Sequence, residues 1–484
     1  MEQQKYRKKS LGLNALLNGT RTVLNLFFPL ITFPYVSRVL KVENIGKYNF
    51  AQSVNQYFLL IAALGITTYA IREGTKFRNS REKLNEFASE IFSINIISTI
   101  VAYIMLFFCI AFIPKFQNYR MIILIFSIEL IFTTIGIEWM YSIFEEYAYI
   151  TIRSIIFKII SIILLLLLVK KPEDYIVYAG ITVFSNAGSN ILNLIHSRKY
   201  CNLKIIWSKK IYKHLKPIFV IFASTVATSI YVNSDTTMLG FMTSNYEVGI
   251  YSVSSKVYRI VKQMLASILI VSIPRLAFLM GQDKMDEYRK TLTNIFNVLV
   301  IVLFPAIVGL FLLSKEIVLL ISGPEYVQAT SSLRLLAIAL AFCIFGWIYN
   351  QCVLIPAKQE KIVMFTTIIS AIANIVINFI LIPILKVNAV AISTIVAEGI
   401  TMVMCIYHGR KIVNLEKGVV KNGITVLMGC VLIILICNGI QQLNLSSTLT
   451  LFMSIMFSGI GYGLMLILLK NELTIGILKR ILKK

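Results

Sequence analysis

The feature that most constrains this chain is a series of long apolar runs separated by short polar connections. A helix rising 1.5 Å per residue needs about 20 apolar residues to cross the hydrocarbon core. Fourteen runs meet that length, at about 13–35, 48–70, 87–112, 121–142, 148–169, 175–195, 217–240, 248–274, 291–314, 333–355, 362–384, 387–408, 422–441 and 447–469. Barrel strands need only about 9–11 residues, and lipid leaves no other way to satisfy a spanning backbone. The expected fold is therefore an all-α integral membrane protein of about 14 transmembrane helices.

Composition agrees. Apolar residues make up 57% and charged residues 14%, against roughly 25% charged in soluble proteins. The net charge is +24. Such a surplus can indicate nucleic acid binding, but here the basic residues sit at the ends of apolar runs rather than in one patch. Nucleic acid is therefore not an expected partner. The longest polar connection is residues 196–216, too short for a soluble catalytic domain. The seven cysteines form no CxxC pair, and His196, His214 and His408 show no zinc spacing, so neither a metal nor an enzymatic activity is expected. The basic N-terminal stretch leads into a run holding Asn14, Asn18 and Arg21 with no small-residue cleavage site, and reads as a first span rather than a cleaved signal.

With the N-terminus placed in the cytoplasm, basic residues are about threefold more abundant in the cytoplasmic connections than in the outer ones. Both termini are expected to be cytoplasmic.

An internal repeat appears at an offset of 203 residues. Gly46, Tyr48, Val54, Ala63 and Arg72 fall on Gly249, Tyr251, Val257, Ala266 and Arg275. The polar pattern repeats with it. Arg21, Asn25 and Thr32 in span 1 match Ser224, Thr228 and Asp235 in span 7, while Asn49, Gln52 and Gln56 in span 2 match Ser252, Ser255 and Arg259 in span 8. Spacings of three and four put each set on one helix face. An even number of spans separates the copies, so they share one orientation, the parallel arrangement of many transporters. The expected organisation is an N-lobe (1–210, helices 1–6), a pseudo-symmetric C-lobe (211–414, helices 7–12) and an appended pair (415–484, helices 13–14).

Charge within a span costs about 2.5–3.5 kcal/mol on insertion scales and marks function or pairing. Arg21, Arg153, Lys158, Lys256, Arg259, Lys262, Glu129, Glu138, Asp235 and Glu398 fall within the expected spans. Arg259 lies roughly 16 Å along span 8, too deep for easy snorkelling. Arg21, Arg259, Lys262 and Lys256 suit a cationic cavity wall for a multiply charged anion. Interhelical ion pairs, such as Asp235 with Arg259, are the alternative. Asp235 is the candidate ion-coupling group. Asn374 and Asn378 suit interhelical hydrogen bonding.

The residues also carry a resemblance. TFPYVSRVL (32–40), Gly46, Asn49-Phe50-Ala51, Leu64-Gly65-Ile66, IEWMY (137–141) and YAYITIR (147–153) resemble the oligosaccharide flippase family, the Wzx-type polysaccharide biosynthesis proteins. The resemblance is clearest over the first 200 residues. It implies a fold like that of multidrug and toxin extrusion transporters, two six-helix lobes plus two C-terminal helices, with helices 1, 2, 7 and 8 around a central cavity. It implies that undecaprenyl-pyrophosphate-linked oligosaccharide repeat units are moved from the inner to the outer leaflet of the bacterial plasma membrane for capsule or O-antigen synthesis. It also implies alternating access, no cofactor, coupling to H⁺ or Na⁺, and other polysaccharide assembly proteins as further partners. Arg21, Arg259, Lys262 and Lys256 would meet the pyrophosphate, and Asn25 and Gln56 the sugar. The alternatives are a multidrug or a peptidoglycan-precursor exporter of the same superfamily. The first would favour an acidic cavity, contrary to the basic surplus here.

Overall fold

The computed structural model describes residues 11–415, 419–469 and 471. Among the described residues all regular structure is helical. The chain divides into two compact units, Met1–Gly249 and Ile250–Lys484.

The first unit holds α1 (Leu11–Ala63), α2 (Ile66–Gly74), α3 (Arg81–Phe112), α4 (Pro114–Asn118), α5 (Arg120–Gly136), α6 (Glu138–Ile143), α7 (Tyr147–Leu168), α8 (Tyr175–Val183), α9 (Asn190–Ser197) and α10 (Tyr212–Met242). α11 (Asn245–Gly281) starts in it and runs on into the second unit, which adds α12 (Met285–Leu312), α13 (Ser314–Ser322), α14 (Ala329–Trp347), α15 (Glu360–Leu385), α16 (Val387–Gly409), α17 (Val419–Gln442) and α18 (Ser447–Leu468).

Twelve helical stretches among the described residues are long and apolar enough to cross a membrane. Three of the fourteen expected spans are merged or interrupted. α1 contains spans 1 and 2, divided by the single non-helical residue Lys41 at φ 64, ψ 168. The polar connection expected there is almost wholly helical. Span 6 is α8 and α9 joined through a π-helical turn, Phe184–Gly188. Breaks also occur where hydropathy gives no warning. Span 2 breaks at Leu64 (φ 47) and Gly65 (φ 72), and span 4 at Ile137 (φ 36). Gly65 meets both conditions that favour glycine: a left-handed backbone, and Ile221 of α10 about 3.0 Å from where a Cβ would stand.

Lipid supplies no hydrophobic force between helices, so close packing and interhelical hydrogen bonds hold them. In the first unit Asn95 Nδ2 and Ser98 Oγ of α3 both donate to the Ala62 carbonyl of α1, at 2.8 and 2.6 Å. That carbonyl lies in the last turn before the break and lacks a helical partner of its own. In the second unit Asn374 and Asn378 of α15 form a closed ring with Ser393 of α16, at 3.2, 3.2 and 2.6 Å. Interhelical bonding accounts for that expected stripe. α17 and α18 pack on α12 through Val426, Cys430 and Leu466 against Val300 and Ile301, and Tyr462 donates to the Ile301 carbonyl at 2.9 Å. Six of the seven cysteines are buried and all are free.

Candidate functional site

The structure places the candidate residues on three helices. The side chains of Arg21 and Asn25 lie outside the described residues; their backbone is part of α1. Gln56 is half-buried on the second half of α1. Asp235 of α10 is 8% exposed, and Tyr57, the neighbour of Gln56, lies close enough to feel its charge. In the second unit Lys256, Arg259 and Lys262 sit within two turns of α11. Arg259 is exposed and Lys256 half-buried, close enough to Arg259 to feel its charge.

Lys262 has a defined partner. Its Nζ stands 3.0 Å from Glu398 Oε1 of α16, and its side chain is 33% exposed against 7% for Glu398. Tyr258, one turn earlier on α11, donates to the same carboxylate oxygen at 3.4 Å and sets its ring 5.7 Å from the Lys262 ammonium. Glu398 thereby has a counter-charge inside a span, and the Lys262 side chain is one third exposed.

The other intramembrane charges are held by protein groups. Arg153 donates to Glu138 Oε1 at 3.0 Å and to the Ser189 carbonyl at 2.9 Å. Glu129 accepts from Asn186 of the π turn at 3.3 Å. Lys158 lies over the Phe28 ring at 5.4 Å. The Arg153 and Glu129 contacts tie α5, α6 and α7 to the interrupted span 6, and the Lys158 contact ties α7 to α1.

The residues that carry the family resemblance also do structural work. Tyr141 of IEWMY is fully buried and donates to the Asn193 carbonyl at 2.6 Å. Tyr35 of TFPYVSRVL donates to the Val169 carbonyl at 2.8 Å. Gly46 lies against the carbonyl of Asn245, where a Cβ would overlap it.

Two buried acids, Glu90 and Glu247, were missed in the sequence. Glu90 of α3 is 2% exposed and accepts from His214 Nε2 at 2.7 Å and from Lys213 Nζ at 3.0 Å. Tyr69 of α2 meets the other face of the imidazole at Nδ1, also at 2.7 Å. A carboxylate near the start of an apolar run was the available signal.

This arrangement is a bundle of membrane helices with cations on one stretch of α11, one of them paired with the buried Glu398. Similarity to known proteins narrows the class. The family model for polysaccharide biosynthesis proteins matches residues 11–280, and the chain belongs to that family. It is 26% identical over 381 residues to a protein of Shigella dysenteriae named an O-antigen transporter, covering 77% of this chain and 92% of that one. It is 24% identical to the capsular polysaccharide biosynthesis protein CapF of Staphylococcus aureus, covering 76% and 92%. Among solved structures the lipid II flippase MurJ, in an inward closed conformation, superposes with a TM-score of 0.73 at 14% identity, over 98% of this chain and 100% of that one. An inward-facing MATE multidrug transporter gives 0.63 at 12% identity, over 81% and 94%. At these identities the likeness is one of fold, and it is the MATE-like fold expected from the resemblance.

Proposed function

We propose that the chain is a flippase that translocates undecaprenyl-pyrophosphate-linked oligosaccharide repeat units from the inner to the outer leaflet of the bacterial plasma membrane, for capsule or O-antigen-type polysaccharides. The observation that carries this reading is the similarity, over about three quarters of the chain, to proteins named for O-antigen transport and capsule synthesis, together with a fold like that of a lipid II flippase over almost the whole chain. The chain is a transporter and not an enzyme. Both termini face the cytoplasm, in keeping with the distribution of basic loops.

On this reading two six-helix lobes, 1–210 and 211–414, rock about the substrate by alternating access, with 415–484 as an appended pair. Arg21, Lys256, Arg259 and Lys262 receive the pyrophosphate, for which arginine's fork and lysine's point charge are both suited. Asn25 and Gln56 bond sugar hydroxyls, and Asp235 couples transport to H⁺ or Na⁺. The exposed part of the Lys262 side chain lets a diphosphate share it with Glu398.

The test is reconstitution of the purified chain in liposomes with a fluorescent lipid-linked oligosaccharide, with and without an imposed ion gradient. Gradient-dependent movement of the label to the opposite leaflet is expected. Movement equal to that in protein-free liposomes overturns the reading.

A further inference from the structure

Basic residues are scarce in the connections assigned to the outer face, as the positive-inside bias requires. Three of these outlying cations nevertheless converge on one cavity of about 820 Å³ in the first unit. Lys47 comes from the second half of α1, Lys115 from α4, and Arg120 from the first residue of α5. Among the described residues none of the three has a carboxylate partner. Lys115 Nζ donates to the carbonyls of Phe241 and Thr243, at 3.1 and 3.4 Å, so it contributes field more than a free donor. The Lys47 ammonium lies 5.3 Å over the Tyr175 ring, and the Arg120 guanidinium is exposed. Of the acids nearby, Glu43 lies close enough to Tyr119 for its charge to be felt in the cavity, which still holds three cations. Asp174 turns its carboxylate to the backbone N–H groups of Lys170 and Lys171, both at 2.8 Å, and Glu43 is exposed.

The rest of the lining is not that of a bare anion site. Tyr119 and Tyr175 also line it, with one face of Tyr175 taken by the Lys47 ammonium; Gln117 and Asn118 are exposed, and Tyr119 donates to Asn245 Oδ1. The volume lies toward the upper end of small-ligand pockets and far exceeds one phosphate. Tyrosine faces suit the C–H faces of sugar rings, amides suit hydroxyls, and an arginine fork suits a carboxylate.

From this lining we propose that the cavity is a saccharide-binding site for a glycan bearing a carboxylate, with Arg120 and Lys47 on the acid and Tyr175 under a sugar ring. It rests on the flippase reading in one respect: that reading supplies the glycan emerging at this face. The site would hold the repeat unit's sugar after it leaves the central path, apart from the α11 cations.

The test is isothermal titration calorimetry of the full chain in neutral detergent. The probes are a glucuronate-containing tetrasaccharide, a neutral glucose tetrasaccharide and inorganic pyrophosphate. The acidic tetrasaccharide should bind at least about tenfold tighter than the neutral one, and Arg120→Gln and Lys47→Gln should each weaken it about tenfold. Arg120→Lys, which keeps the charge and loses the fork, should fall between wild type and Arg120→Gln. Equal binding of the neutral tetrasaccharide overturns the proposal, as does unchanged affinity in the double variant. Pyrophosphate competing at the same affinity also overturns it, because the site would then read a bare anion. The two readings fail separately. Loss of this binding with liposome flipping intact removes only the outer site, whereas absent flipping with binding intact removes the transport reading.

Discussion

Gly46 and Gly249 make the same contact at equivalent positions of the 203-residue repeat. A Cβ on Gly46 would overlap the carbonyl of Asn245, and one on Gly249 would overlap the carbonyl of Val42. Val42 and Asn245 are themselves 203 residues apart, so the two contacts are related by the repeat. The start of the second half of α1 and the start of α11 therefore approach backbone to backbone, and only glycine permits it. Because the obstructing atoms are backbone, a small side chain cannot be accommodated by a rotamer change. Gly46→Ala and Gly249→Ala should each lower polymer export about tenfold or more with near-normal membrane levels of protein, measured by glycan immunoblot beside protein immunoblot. Normal export in both would mean that this approach is dispensable for transport.

Lys262 and Glu398 give a second test. Removing one partner of a buried pair leaves an uncompensated charge and costs about 3–5 kcal/mol, whereas replacing both is often neutral. Lys262→Met should lower the thermal midpoint, and Lys262→Met with Glu398→Gln should recover most of it. If Lys262 also meets the substrate, the stable double variant still fails to export polymer. Recovery of export together with stability would confine Lys262 to a structural role.

These pairings mark where sequence reasoning stops. Helical spacing put Ser252, Ser255 and Arg259 on one face of span 8, but it gave no rotation of that face against span 12. The contact of Lys262 with Glu398, 136 residues apart, could therefore not be read. Span lengths were legible because bilayer thickness fixes them. The breaks at Lys41, Leu64 and Ile137 were not, because hydropathy is blind to the dihedrals of one residue. The glycines of the repeat were legible as positions and became explicable only once the facing carbonyls were known. Arg21 and Asn25 remain readings of the sequence.

Asn55 poses a different question. It is fully buried in α1, and neither its amide nitrogen nor its amide oxygen has a hydrogen-bond partner among the described residues. An unmade bond on a buried polar group costs about 1–3 kcal/mol. Asn55→Leu, which keeps the branching and the number of side-chain heavy atoms, should raise the thermal midpoint of the purified protein by a few degrees. A fall instead would show that the amide binds a buried water or ion that the apolar side chain displaces.

The last prediction concerns the connection between α9 and α10. The backbone N–H groups of Asn202, Lys204 and Ile206 donate to the side chains of Asn85, Ser89 and Ser93 on α3, at 2.8, 3.1 and 2.8 Å. Two residues of extended chain advance about 6.6 Å and four residues of helix about 6.0 Å, so alternate N–H groups stay in step with one face of α3. Each such bond contributes about 0.5–1.5 kcal/mol, too little to hold the fold but enough to fix a short segment. Ser89→Ala with Ser93→Ala should speed amide hydrogen exchange at residues 204 and 206 by about tenfold or more, with little change in the global thermal midpoint. Exchange unchanged at 204 and 206 would mean that the register is set by the apolar side chains around Ile211 rather than by the two hydroxyls.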